Sequence, residues 1–558
     1  MYATRALLIS AILLTAPPLK ADPPEKEAFG NASLAPATAT VYVHVEGAAK
    51  IRRELATRPV ARFVETLLED GHFERAWGNL ARSVKLDEDE LFDLWLGGEF
   101  TFIKRSGARG SDWAIVTEVA SMRGRAAVQR LNPRHLAPRW TIPLAEIPEH
   151  ALRIAAVDER RYLIGPAGEG RLFESVLKRL AKRAADEPML LDDPAFAEAR
   201  RLGRGDVELF VRHDLSIGGG WSALVAELDA PSVHLRHTAR FEVSPLQRPV
   251  TGLAIDVAPL TSLQQRSFFS IIEPTDVRGG PAEAFLEATL GVPLMSGDMS
   301  KNADDSRILT LGEIEANAGG GDAAGADQPF EPNTFLPAGA VAIKVRDARW
   351  AEEELDAHLT EVARAIDRLG QGAFELHIPP ARHFVRGRPR QIDLQPALRH
   401  FAGDMPLARA VTLNWTVASG PHGDFYVMAT HPQHLVDTVE ALESAVAVRG
   451  AAGKWTQCGA LDGRRLSIHL AGHTQGKNVF GGEEGETLDE FRHTMRLLSE
   501  LAEGVKECQW RVRRPSAQQL EVEVDVVLSP SESARGASSE DEWSPRGRCR
   551  GRKSSPRH

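Results

Sequence analysis

The chain contains few cysteines. Cys458, Cys508 and Cys549 are the only three in 558 residues, and no two of them form a C-x-x-C pair. An odd number of widely spaced cysteines excludes a fold that depends on disulfide staples. A chain of this length buries enough core without them. Two buried free thiols are the favoured interpretation of Cys458 and Cys508, and a disulfide between them is the alternative.

Long apolar runs are confined to the N-terminus. Arg5 precedes the run ALLISAILLTA, and a proline-containing break with small residues follows it. This is the pattern of a secretory signal peptide, and the run is too short to span a bilayer of roughly 30 Å as a helix. Cleavage is expected after Ala21, although Leu19 departs from the small-x-small rule, so retention as an anchor is the alternative. We expect a periplasmic or secreted protein with no transmembrane segment after cleavage.

The chain has no large excess of charge of one sign. Its formal net charge is -10, from 67 Lys and Arg and 77 Asp and Glu. This balance argues against a chain built to coat nucleic acid. The hydrophobic fraction of 43% is ordinary for a globular protein, and the length corresponds to roughly three to four domain-sized units.

Catalytic signatures are missing as well. The sequence has no G-x-S-x-G elbow, no H-E-x-x-H motif and no cysteine with a local histidine signature. The stretches GAAGKWT and GGGDAAG fail the requirements of a phosphate loop and of a dinucleotide fingerprint. A triad from distant segments stays compatible with the sequence, because such groups meet in space. We predict no catalytic residue and no cofactor.

What the sequence does contain is a strand–helix pattern that occurs twice. Residues 41–55, VYVHVEGAAKIRREL, resemble residues 341–355, VAIKVRDARWAEEEL, and a second pair begins at Asp112 and at Asp424. The alternating valine and isoleucine residues predict half-buried strands, with Tyr42 and Ala342 on the solvated faces. Two such pairs in the same order predict an internal duplication. The expected fold is α+β, with two similar halves that are mainly antiparallel sheets with helices packed on one face, plus a strand-rich middle region.

The expected organisation follows from these patterns. The segment after the middle region is rich in Gly, Ala, Asp and Pro without an apolar period, and the C-terminal tail has too few apolar residues to join a core. Asp193 and Pro194 mark the start of a helix. The predicted units are a signal peptide (1–21), a first α+β half (35–214), a strand-rich middle region (215–315), a flexible linker (316–335), a second α+β half (336–528) and a disordered C-terminal tail (529–558).

Several stretches together resemble a known family. They are WLGGEFTFIKR with DWAIVTEV, DDPAFAEARRL with VELFVRHD, GDFYVMATHPQHLVDTVEAL, and the final helix and hairpin. They resemble a large uncharacterised family of exported bacterial proteins, a domain of unknown function, over about residues 34 to 528. The resemblance implies export and the two-part layout, and it brings no activity with it.

One group of residues is a candidate metal site. In GPHGDFYVMATHPQH, His431 and His434 are spaced to share a helix face, and His422 and Asp424 could complete the set. Zinc requires three or four such ligands within about 2.0–2.3 Å of the ion. The alternative is that Pro432 opens a helix and the histidines are solvated at its first turn.

Two further patterns resemble binding sites. The alternating Asp298, Ser300, Asn302 and Asp304 resemble a calcium loop, but Ala303 and Leu309 occupy its diagnostic positions. The four arginines around Phe384 could bind an acidic envelope polymer or the carboxylates of a protein partner, and pairing with local acids is the alternative. They are Arg382, Arg386, Arg388 and Arg390.

The favoured function is an exported non-enzymatic binding, scaffolding or envelope-associated protein of unknown ligand. It is based on the repeated pattern, the export signal and the missing catalytic signatures. The alternative is an extracytoplasmic hydrolase, with or without a metal, that uses the group of His422, Asp424, His431 and His434 in a cleft between the halves. No nucleic-acid partner is expected.

Overall fold

The structure is a computed structural model of the chain. It describes residues 29–60, 72–107, 110–119, 121–131, 133–168, 170–183, 187–213, 219–229, 231–242, 262–263, 266–275, 281–282, 302–312, 338–369, 390–394, 412–444, 455–467, 498–516 and 518–530. The predicted signal peptide, the predicted linker and residues 531–558 of the predicted tail lie outside these ranges.

Nineteen strands within the described ranges pair into one sheet, and every pairing is antiparallel. The strands are numbered in chain order. From one edge of the sheet to the other they are β4 (Arg134–Arg139), β5 (Ile142–Ile147), β6 (Leu152–Ala156), β7 (Arg161–Pro166), β3 (Gly110–Glu118), β2 (Phe100–Gly107), β1 (Val41–Val45), β8 (Val207–Arg212), β9 (Trp221–Asp229), β10 (Ser232–Arg240), β19 (Gln519–Leu528), β18 (Val505–Ser516), β17 (Gln457–Asp462), β11 (Phe269–Pro274), β12 (Ala303–Gly312), β13 (Ala338–Val345), β16 (Gly423–Ala429), β15 (Thr412–Gly420) and β14 (Arg390–Asp393).

Several helices begin at a residue whose side chain caps the first turn. The carboxylate of Asp193 accepts hydrogen bonds from the N–H groups of Ala195 (2.8 Å) and Phe196 (3.2 Å), which confirms the predicted helix start. Ser121 caps a second helix in the same way. The α-helices are α1 (Ala48–Ala56), α2 (His72–Val84), α3 (Glu88–Trp95), α4 (Met122–Arg130), α5 (Arg171–Leu180), α6 (Pro194–Ala199), α7 (Ala348–Leu369) and α8 (Pro432–Ser444), and short 3-10 turns cover Ala32–Leu34, Pro148–His150, Leu190–Asp192 and Arg200–Leu202. None of the described helices combines the length and the apolar character needed to cross a membrane.

The sheet has two faces that can be traced from strand to strand. Directly paired residues on neighbouring strands point to the same side. The pairings that start at Val43 lead through Leu209, Leu224 and His237 and end at Val341 on β13. We call the side that carries Val43 the front face and the other side the back face.

Both faces bury apolar side chains. On the front, helices α2 to α4 cover a cluster around Trp95, α1 and the helical segment 498–504 cover a cluster around Leu235, and α7 packs near Trp415. On the back, α5 and α6 pack on aromatic residues such as Phe210, and α8 packs on residues such as Phe425. The core therefore consists of layers on both sides of the sheet.

The predicted fold class, two similar halves with helices on one face of each sheet, is wrong. One antiparallel sheet runs through the described residues of both predicted halves and of the middle region, and β10 of the middle region pairs directly with β19. Helices cover both faces because both faces are apolar. Tyr42 and Ala342, expected on solvated faces, are 0% and 1% exposed.

The repeated stretches also occupy different places in the sheet. β1 lies between β8 and β2. β2 is the first strand of the β2–β3 hairpin, which follows β1 in the chain. β13 lies between β12 and β16. β16 is the second strand of the β15–β16 hairpin, which follows β13 in the chain. A duplication would give the two stretches equivalent neighbouring strands in the sheet. The similarity of the two stretches reflects a shared strand–helix pattern, and the predicted duplication is wrong.

Ser529, the first residue of the predicted tail, belongs to the folded part. It is 6% exposed, and its N–H donates to the carbonyl of Gly504 (2.9 Å). Its own carbonyl accepts a hydrogen bond from the guanidinium of Arg58 (3.1 Å). The ordered packing at the end of β19 thus extends past the predicted boundary.

Candidate functional site

The four candidate metal ligands do not converge. Asp424 is the second residue of β16 and His431 follows the end of the strand, so the five strand steps from Asp424 to Ala429, roughly 17 Å at about 3.3 Å per residue, separate them. His422 lies in the turn next to Asp424. Within the described part of the chain, no group of three or more His, Cys, Asp or Glu side chains is arranged to hold a metal ion.

The two helix histidines have structural roles. His431 accepts a hydrogen bond at Nδ1 from the N–H of Gln433 (3.2 Å), at the start of α8. His434 is buried against the back face, with Nε2 3.0 Å from Oγ1 of Thr310. Burial lowers the pKa of His434 to about 4, so the ring is neutral at neutral pH.

The other two sequence patterns are only partly described. Of the calcium-like stretch, Asn302 holds the chain before α7, because its Oδ1 accepts from the N–H of Asp347 (3.0 Å) and its Nδ2 donates to the carbonyl of Asp347 (2.9 Å). Of the arginine cluster, only Arg390 is described. It is 8% exposed and lies over the ring of Trp415 at 5.6 Å. Neither placement supports a ligand site.

The cysteines follow the favoured interpretation for Cys458 and Cys508, which are buried free thiols. In the pairing of β17 with β18, Cys458 is opposite Arg511 and Cys508 is opposite Leu461. Positions 508 and 511 of β18 differ by an odd number, so the side chains of the two cysteines point to opposite faces of the sheet. Burial raises the pKa of both thiols, that of Cys458 to about 12. These thiols are protonated and unreactive at neutral pH.

A polar surface that the sequence patterns did not identify lies on the back face, at the centre of the sheet. Alternate residues of β10, β19 and β18 point to this side, and cross-strand pairing places them next to one another. Charged residues on this surface are half-exposed: the side chain of Arg511 is 37% exposed and that of Arg513 is 49% exposed. We call this surface the polar groove; its floor consists of His234, Arg236, Thr238, Gln509, Arg511, Arg513, Glu521, Glu523 and Asp525.

Two walls border the floor. On one side, segment 194–204 runs along β10, where Glu198 binds Arg240 (2.8 Å) and the carbonyl of Arg204 accepts from Arg236 (3.2 Å). On the other side, the indole ring of Trp455 lies under the guanidinium groups of Arg511 and Arg513, 5.8 and 5.9 Å from the ring centre. These cation–π contacts hold the two arginine side chains of β18 against Trp455, at the edge of the floor.

A cavity of about 460 Å³ lies where β10 ends and β19 begins. Its lining includes Glu198, Arg212, Trp221, Arg240, Phe241 and Gln518. Arg240 is on the same face as Arg236 and His234, so the cavity continues the groove. Gly220, at a φ of 93°, lies beside the carbonyl of Arg240 in a backbone conformation that favours glycine.

The charges of the groove are balanced within it. Arg236 binds Glu227 at its edge, Arg513 binds Glu521, and the guanidinium of Arg511 is 3.9 Å from the carboxylate of Asp525. In the cavity, Arg240 binds Glu198, and Arg212 binds Asp193 (2.5 Å). A ligand therefore meets ion pairs and not a patch of one sign.

Three buried polar atoms on the floor have no hydrogen-bond partner among the described residues: Nδ1 of His234, Nε of Arg236 and Oδ1 of Asp525. His234 and Asp525 are directly opposite each other on β10 and β19. Burial raises the pKa of Asp525 to about 7 and lowers the pKa of His234. The pair therefore combines a carboxyl that titrates near neutral pH with a neutral imidazole.

The sequence carries a partial signal for this site. The stretches 232–240 and 519–528 alternate charged or polar residues with apolar ones, which predicts that each strand has a polar side. Nothing in the sequence indicates that the two polar sides lie next to each other, because the strands are almost three hundred residues apart. The site becomes visible only through the pairing of β10 with β19.

Comparisons with known proteins give little support to any assignment. No protein-family model matches the chain, and no curated protein matches it. Among solved structures, crystal form III of TP0453 matches at 10% identity, with 40% of this chain and 84% of that chain covered, and crystal form IV matches at 11% identity, with 38% and 79% covered. The TM-score is 0.25 in both cases, a value too low to carry an inference about fold or function.

Proposed function

We propose that the protein is an exported, non-enzymatic binding protein whose ligand occupies the polar groove. The observation that carries this proposal is the group of three buried polar atoms without partners on the groove floor, in His234, Arg236 and Asp525. A buried polar atom without a hydrogen bond costs about 1–3 kcal/mol. Unsatisfied atoms grouped at one place need a partner, and a ligand in the groove would supply it.

The dimensions of the groove suit an extended ligand. Arg240 lies six positions after His234 along β10, which corresponds to roughly 20 Å. Three adjacent strands form the floor, so it is about 10 Å wide between the outer strands. The cavity of about 460 Å³ at one end falls in the range of ligand sites.

Export and envelope association belong to the same proposal. They are supported by the basic, apolar and small residues of 1–21 and by the resemblance to exported bacterial proteins. The metal-assisted hydrolase is not proposed, because Asp424 and His431 lie at opposite ends of β16. The charge balance of the groove favours a partner of low net charge over an acidic polymer.

The proposal is tested by capture from a native envelope fraction. Full-length protein on beads is compared with the variant Arg511→Glu/Arg513→Glu, which reverses the charge of one side of the groove, and with Arg134→Glu as a matched charge reversal on the exposed strand β4. Retained protein and carbohydrate are quantified by mass spectrometry.

We expect wild type and Arg134→Glu to retain the same material. The groove variant should retain at least tenfold less of it, because its two new glutamates would no longer contact the ligand as the arginines do and would repel the neighbouring carboxylates. Equal retention by all three proteins would contradict the proposal. Far-UV circular dichroism and the melting temperature show whether the variants are folded.

A further inference from the structure

We infer that the ligand of the polar groove is an uncharged polysaccharide segment, bound through its hydroxyl groups. This inference rests on the proposed function of the groove. It follows from two properties of the floor: its paired charges and its unsatisfied atoms of both hydrogen-bonding types.

The paired charges disfavour a charged ligand. Arg236, Arg511 and Arg513 each have a carboxylate of the groove as partner. A polyanion would have to displace these carboxylates and would lie beside Glu523, which is opposite both Arg236 and Arg511 in the strand pairing. A polycation would meet the three guanidinium groups. An uncharged ligand leaves every ion pair intact.

The unsatisfied atoms require donors and acceptors close together. Nε of Arg236 only donates, Oδ1 of ionised Asp525 only accepts, and Nδ1 of neutral His234 does either according to its tautomer. A hydroxyl group donates one hydrogen bond and accepts two, so neighbouring hydroxyls of a sugar ring satisfy all three atoms. A peptide amide offers only a donor at nitrogen and only an acceptor at oxygen.

The composition of the floor also disfavours a peptide ligand. Peptide recognition by strand addition relies on main-chain hydrogen bonds at a free sheet edge and on pockets for alternate side chains, whereas the floor is a face at the centre of the sheet. The floor contains polar and charged side chains, with Thr238 as its least polar member.

The experiment titrates the full-length protein with defined probes and follows binding by saturation-transfer NMR and calorimetry. The uncharged probes are chitotetraose, maltotetraose and cellotetraose. The comparison probes are a heparin tetrasaccharide and an end-blocked tetra-alanine. Each is tested on wild type, His234→Leu/Asp525→Leu, Asp525→Asn and Arg134→Glu.

We expect at least one uncharged tetrasaccharide to bind wild type and Arg134→Glu equally. The double leucine variant should bind it about tenfold or more weakly, because two hydrogen-bonding groups are lost. Asp525→Asn, which keeps an oxygen acceptor at the same place, should remain within about threefold of wild type.

Two outcomes overturn the inference. If no uncharged tetrasaccharide binds at millimolar concentration, or if binding is the same in the double leucine variant, the groove does not recognise hydroxyl groups. If heparin or the peptide binds and the double leucine variant loses that binding, the groove is a binding site for another class, and the proposed function survives without the polysaccharide. Failure of the proposed function is recognised separately, by equal envelope capture with Arg511→Glu/Arg513→Glu.

Discussion

At the scale of single residues, burial on the sheet faces decides the chemistry of titratable groups. Glu273 and Arg307 form an ion pair within the front-face core, with 2.7 Å between Oε1 and Nε and side chains that are 3% and 2% exposed. The carboxylate also accepts from the N–H of Ala282 (3.2 Å). A buried pair of this kind is costly to break from one side, because the remaining charge stays in the core.

His434 leads to a prediction about acid stability. Its pKa is about 4 in the folded protein and about 6.5 in the unfolded chain. Between these values the unfolded chain binds the additional proton, so stability falls as the pH falls from about 6.5 to about 4 and no further below that. For this single group, the loss between pH 7 and pH 5 is about 2 kcal/mol.

His434→Gln should reduce the acid sensitivity by that amount while lowering stability at pH 7, where the contact with Thr310 is lost. Urea unfolding at pH 7 and pH 5 measures the difference. The exposed His135→Gln serves as control and should keep the wild-type pH dependence. The same dependence in His434→Gln as in wild type would contradict the assignment, since His44 and His237, each with a pKa of about 4, would then account for the effect.

At the scale of secondary-structure elements, β1 shows why alternation alone misleads. Tyr42 is fully buried on the back face, where its hydroxyl donates to the carbonyl of Gly30 and its ring lies 5.8 Å from that of Phe196. Val43, on the front face, is only partly buried. The side with the valines is thus the less buried one.

Substitutions on β1 test this assignment of faces. Tyr42→Asp should destabilise by about 2 kcal/mol more than Val43→Asp, because it removes a buried aromatic ring and places a charge in the core. Tyr42→Phe removes only one hydrogen bond and should cost about 1 kcal/mol. Chemical denaturation of the three variants gives the order, and a milder effect of Tyr42→Asp than of Val43→Asp would restore the solvated face expected from the pattern.

Local elements are predictable from this sequence to the extent that local physics specifies them. The alternation in 98–105, 112–119 and 161–166 predicts strands where β2, β3 and β7 lie, the Pro-containing turn predicts the hairpin of β18 and β19, and Asp193 predicts the start of α6. The prediction of solvated faces is wrong because alanine residues such as those on β13 are typical of the solvated side of a strand, although helix α8 buries them. The groove is not predictable from the sequence, because non-local strand pairing brings its floor together and no local pattern encodes that pairing.

At the scale of the whole molecule, the pairing of β10 with β19 is the seam that joins the middle of the chain to its C-terminal hairpin. Nine residue pairs connect the two strands. The same seam forms the groove floor on the back and the core around Leu235 on the front. Binding surface and structural continuity therefore depend on the same strands.

This continuity predicts one cooperative unfolding transition. Leu235, at the seam, is 0% exposed, so Leu235→Asp places an unpaired charge in a central core cluster and should destabilise the protein by about 3 kcal/mol or more. Leu136→Asp makes the same change on the edge strand β4, where the side chain is only partly buried, and should cost less than half as much. Differential scanning calorimetry should show a single peak for wild type that moves as a whole to lower temperature in Leu235→Asp. Two peaks, of which only one moves, would instead show that the sheet consists of two units that unfold independently.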